Sequence, residues 1–140
     1  MNMKTGRIAL FMICWIFCGC IGQSFDVSKI GEMHFGYTTW SNGKTIQYEC
    51  RVQADQLKSV LKAMAPRDPQ YDIVFTTGSR TASLQYEGKE IEFEWARVKM
   101  ADIVVLIYVQ GQHFMLKQPE AGQFIDLLEQ NTKESSQPEH

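Results

Sequence analysis

The sequence predicts an α+β domain, an antiparallel sheet of about six or seven strands with two helices packed on one face. Three observations carry this. Apolar and polar residues alternate in short runs, most cleanly at 45–52 and 90–95. Asn42-Gly43, Glu87-Gly88 and Gln110-Gly111 separate such runs as tight turns. Only two stretches, near 57–64 and 119–128, change to helical spacing.

Before the domain comes a segment of another kind. Lys4 and Arg7 make a positive start, Ile8 to Phe17 is an uncharged apolar run, and Cys18, Gly19, Cys20 and Gly22 supply small residues for a peptidase. Residues 1–22 therefore read as a cleavable secretory signal. From Ile8 to Gly22 there are 15 residues, whereas a spanning helix needs about 20. Within this segment Phe17-Cys18-Gly19-Cys20 resembles a bacterial lipobox, with Phe17 and Cys18 standing where Leu and Ala or Ser are usual. The resemblance implies lipidation of Cys20 and a membrane tether, each buried methylene contributing roughly 0.8 kcal/mol. The alternative is ordinary cleavage after Gly22, which frees the domain into the periplasm or medium.

Residues 23–32 read as a lead-in linker, with Phe25, Val27 and Ile30 available for docking, and 33–131 as a single α+β domain. Met33, Phe35 and Tyr37 begin the first strand, and Trp40 ends it before Asn42-Gly43, the strongest short hairpin signal. On the return, Ile46, Tyr48, Cys50 and Val52 face one way and Thr45, Gln47, Glu49 and Arg51 the other. Leu57, Val60, Leu61 and Met64 then give a helical stripe that Pro66 and Pro69 close. Strands follow at 71–77, 81–86 and 90–95. The run 103–109 is apolar on both faces, as suits a strand covered on both sides or at a dimer contact, and 113–117 returns from its turn. Pro119 opens the second helix in its first turn, Glu120 complements the dipole, and Ala121, Phe124, Ile125, Leu127 and Leu128 supply its stripe. Residues 132–140 have almost no apolar content and are expected to be a disordered tail.

Charge and cysteine content narrow the functional classes. The full chain carries a formal charge of −2, and without Lys4 and Arg7 there remain 12 basic against 16 acidic residues, about −4. No clustered basic surface is available for a nucleic-acid backbone. Cys14, Cys18 and Cys20 belong to the signal segment, so Cys50 alone stays in the domain and no internal disulfide is expected.

Candidate chemistry is sparse. Cys50 with His34 or His113 is the one nucleophile–base pairing on offer, but Cys50 shares its strand face with Ile46, Tyr48 and Val52, which favours core packing. The histidines show no metal-ligand spacing, and no metal or cofactor is expected. Glu90, Glu92 and Glu94 could be paired carboxylates for hydrolysis, although alternation reads them as the wet face of one strand. The aromatic side chains Tyr37, Trp40 and Trp95 are the candidate interface.

Taken together, these features point to an exported, non-catalytic binding or accessory module of the cell envelope. Its partner would be an envelope protein or other component, met through the open sheet face or an aromatic edge. A small secreted hydrolase using Cys50 or a carboxylate pair, and an oligomeric structural subunit, are the alternatives.

Overall fold

The computed structural model describes residues 24–71, 79–99 and 101–135. Its strands are β1 (Ile30–Ser41), β2 (Lys44–Val52), β3 (Ala65–Pro66), β4 (Arg80–Tyr86), β5 (Lys89–Lys99), β6 (Ile103–Val109), β7 (Gln112–Leu116) and β8 (Thr132–Glu134). The helices are α1 (Ala54–Leu61) and α2 (Glu120–Gln130).

Three two-residue turns fix the registers. Asn42 and Gly43 have φ of 52° and 74°, Glu87 and Gly88 of 51° and 77°, Gln110 and Gly111 of 49° and 72°. Two consecutive positive φ values define the hairpin turn whose twist matches that of the flanking strands. Ser41 accordingly pairs with Lys44, Tyr86 with Lys89, and Val109 with Gln112. Joined by further antiparallel pairings, the strands form one sheet in the order β3-β7-β6-β5-β4-β1-β2-β8.

The expected α+β class is what forms, with eight strands rather than six or seven. The additions are β3 and β8, too short for alternation to reveal. β3 pairs Ala65 with Met115, and β8 pairs Thr132 with Cys50, so each covers part of an edge of the sheet. Thr132–Glu134 is thus strand, where the composition suggested a tail. Of the strand expected at 71–77, Tyr71 closes a 3-10 turn (Pro69–Tyr71), and 72–77 lie outside the described residues. Likewise, 1–23 and 136–140 lie outside them, taking with them the signal segment and Cys20.

The chain joins the sheet earlier than expected. β1 begins at Ile30, and Phe25 is buried with its ring stacked on Tyr86 at 5.0 Å. Asp26 holds the entry through its backbone N–H, which donates to the Tyr86 hydroxyl at 3.0 Å. At the other end of its stripe α1 stops at Leu61, three residues short of Met64. There the N–H groups of Ala63 and Met64 donate to the carbonyls of Val60 and Leu61, tightening the last turn. Met64 still packs on the core from this turn. Pro119 sits just before α2 rather than inside it, and its carbonyl accepts from Gln123 N–H at 3.1 Å.

Both helices lie on one face of the sheet. Leu57 and Leu61 of α1 and Phe124 of α2 are fully buried in one cluster with Met33, Leu84, Phe93 and Ile107. Burying a side chain of this size stabilises by about 1.5–3 kcal/mol. Strand β6 is covered on its second face too. Val104 and Leu106 are buried there with Val98, Met115 and Tyr71, so the two-sided apolar run is filled within the chain. The rest of this second face, across β1, β2, β4 and the glutamate row of β5, is polar apart from the exposed Trp40.

Candidate functional site

Alternation carries apolar side chains under the helices, and the same alternation continues past the point where α2 ends. On β5 the helix-side positions include Phe93, Trp95 and Arg97; on β4 they include Arg80, Ala82 and Leu84; on β1 they include Phe35 and Tyr37. A groove of about 250 Å³ opens here, with a buried aromatic floor of Phe35 and Trp95 and the last turns of α2 as its wall. Tyr37, Arg80 and Arg97 complete the sheet side, while Ile125, Leu128, Glu129 and Thr132 complete the helix side.

The floor is built from rings in contact. Phe35 meets Trp95 edge-on at 4.8 Å, and Trp95 meets Phe124 edge-on at 6.2 Å. Tyr37 stacks on Phe35 at 6.2 Å and on Tyr48 across the strand at 5.1 Å. Such pairs add about 0.5–1.5 kcal/mol to their burial and hold the rings in fixed orientations. Over the Tyr37 ring lies the Arg80 guanidinium, its carbon 4.4 Å from the centroid.

Two cations and one carboxylate, Glu129, surround the groove. Among the described residues neither Arg80 nor Arg97 has a carboxylate within ion-pair distance. The carbonyl end of α2 is already served. Asn131 Nδ2 donates to Leu127 O at 2.8 Å, and Thr132 Oγ1 donates to Leu128 O at 2.6 Å. The arginines are therefore not required as caps for the helix.

Of the three candidate interface residues, Tyr37 and Trp95 come together in this groove with Phe35 between them. Trp40 does not join them. Three positions along β1 from Tyr37, it points to the other face and is 73% exposed.

Cys50 is fully buried on the helix side, where its thiol donates to Leu128 O at 3.5 Å and burial pushes it above the ordinary thiol pKa. His34 and His113 occupy the opposite face, so the sheet stands between the thiol and both imidazoles. His34 is in register with Ser83, and His113 lies 4.6 Å from the Tyr108 ring. Glu90, Glu92 and Glu94 face the polar side, opposite Gln85, Ser83 and Thr81. Among the described residues no group of three His, Cys, Asp or Glu side chains could hold a metal ion, and no helix is long and apolar enough to cross a membrane.

Wider hollows occur elsewhere. One of about 530 Å³ runs along the β2–β8 edge past Glu49, Arg51 and Lys133, and one of about 500 Å³ lies over His34, Gly36 and Glu92. The first has no Phe, Tyr or Trp in its lining, and the second has Phe35 alone. At the first, Arg51 is already paired with Glu32 at 2.8 Å and Glu49 at 3.4 Å.

Sequence reasoning missed Arg80 and Arg97. Both lie outside the expected strands at 81–86 and 90–95, whereas β4 begins at Arg80 and β5 runs on to Lys99, which puts both on the helix side, where a charge marks the end of the core. Compared with protein-family models, curated proteins and solved structures, the chain matches none of them.

Proposed function

We propose that this protein is an exported, lipid-tethered and non-catalytic binding module of the cell envelope, and that it meets its ligand in the groove beside α2. The observation that carries the binding role is the aromatic floor of Phe35 and Trp95 bordered by two guanidiniums, neither of which has a carboxylate partner among the described residues. Fixed rings with a few placed charges are what a recognition site offers. Support for the address comes from the basic, apolar and small-residue order of residues 1–22, with Cys20 in the lipobox position.

A fragment library screened by chemical-shift mapping tests the binding role. The expected result is saturable shifts concentrated at Trp95, Arg97, Ile125 and Glu129; hits scattered over the surface, or confined to the polar face, would remove the groove from consideration. The address is tested by the intact mass of the protein isolated from its native host. An N-terminal Cys20 with added acyl mass is expected, a start at Gln23 without lipid would leave a free exported domain, and retention of Met1 would end the export reading.

A further inference from the structure

We infer that the groove takes a small amphiphilic carboxylate, one with an apolar ring or branched body and a single terminal carboxylate shared by Arg80 and Arg97. This ligand class rests on the groove being the binding site.

The charge arrangement gives the carboxylate. Arg80 is paired in register with Trp95, so Arg97, two residues further along β5, is its diagonal neighbour on the same face. Diagonal neighbours in an antiparallel pair lie about 7–8 Å apart, near enough for one anion to touch both. Like charges so placed repel, and a carboxylate between them removes the repulsion while matching the planar fork of each guanidinium. Arg80 already rests on Tyr37, so little of its freedom is lost when a ligand arrives.

Glu129 sets how much negative charge fits. It lies on the α2 side of the same groove, which leaves a net charge of one positive unit against two arginines. A monoanion balances that, whereas a phosphate dianion would overshoot and be repelled by Glu129. The carboxylate consequently sits toward β4 and β5, and the apolar body lies toward Ile125 and Leu128. Volume sets the size: about 250 Å³ falls below the range of roughly 300–1,000 Å³ that encloses drug-sized molecules. One ring with a short acidic arm fills it.

The test uses the full chain with 3-phenylpropionate, its neutral counterpart 3-phenylpropanamide, and acetate, followed by the Trp95 indole and arginine side-chain resonances. The expected result is saturable binding of 3-phenylpropionate in the groove, with the amide at least about tenfold weaker for loss of the charge-assisted contact and acetate at least about tenfold weaker for loss of the buried ring. Arg97→Gln should weaken the acid by about tenfold, leave the amide unchanged and not move the melting temperature, since Arg97 is exposed. Equal binding of acid and amide at the groove residues would overturn the carboxylate assignment and leave the groove standing. Absence of any shift there with all three probes would also overturn it, and the fragment screen then decides the groove separately.

Discussion

Cys50 donates its thiol proton to the carbonyl of Leu128 at 3.5 Å, joining the end of β2 to the last turns of α2. Burial disfavours the thiolate and raises the thiol above its ordinary value of 9.0. A thiol reagent at neutral pH should therefore label the native protein slowly and the unfolded protein fast. Rapid native labelling would reopen the hydrolase reading. The pH dependence has a definite sign. A thiol whose folded pKa exceeds its unfolded one contributes stability that is complete below the unfolded value and is lost as pH rises through the folded value. Between pH 8 and pH 11 the wild type should lose more melting temperature than Cys50→Ala, which lacks this ionisation.

The two tryptophans on either side of the sheet should behave in opposite ways. Trp95 is 4% exposed and touches Phe35, Phe93 and Phe124, so Trp95→Ala opens a cavity at the centre of the aromatic cluster. A loss of about 3–5 kcal/mol in denaturant unfolding is expected. Trp40, near the β1–β2 turn and 73% exposed, should tolerate Ala within about 0.5 kcal/mol. A large loss at Trp40 would mean that it packs on something in solution.

The contrast between these residues shows what was legible in the sequence. Alternation identified which residues of β1, β2 and β5 turn inward, and Asn42-Gly43 located its hairpin to the residue, because side-chain direction and turn geometry are local properties. What escaped was set by distant parts of the chain. Trp40 falls on the opposite parity of β1 from Phe35 and Tyr37, so alternation already turns it away from the helices, whereas it is the position of α2 that makes Trp95 the floor of a groove. Arg80 and Arg97 are 17 positions apart and meet only through the β4–β5 register. β8 escaped because three polar residues carry no periodicity, and its pairing with β2 depends on where α2 releases the chain.

The three hairpin turns differ in how well their residues suit a positive φ. Asn42 tolerates it, whereas Glu87 and Gln110, at 51° and 49°, have no side chain adapted to it. Gln110→Asn should stabilise by about 0.5 kcal/mol, the lower end for a substitution that relieves local strain. Gly111→Ala meets no neighbouring atom within 4 Å, but forces alanine to a φ of 72°, and should cost about 1–2 kcal/mol. Chemical denaturation of both variants checks the pair. If Gly111→Ala proved neutral, the turn would not have the geometry that fixes the β6–β7 register.

Asp26 anchors the start of the folded chain in a way that pH can probe. Its carboxylate accepts from Ser28 N–H at 2.9 Å and from Ser28 Oγ at 2.7 Å, capping the short turn that leads into β1. These bonds favour the charged form and hold its pKa below the ordinary 3.8, the serine hydroxyl being the largest cause. With the folded value depressed, the contribution is complete above the unfolded pKa and disappears as pH falls through the folded one. A carboxyl-detected titration should place Asp26 below 3.8, and Ser28→Ala should move it part of the way back, since the backbone donor remains. The Phe25–Tyr86 stack gives a second readout, because Asp26 N–H donates to the same Tyr86 hydroxyl. If Asp26 titrated at its ordinary value while the Phe25 and Tyr86 resonances stayed native, the carboxylate cap would not be what holds the entry segment on the sheet.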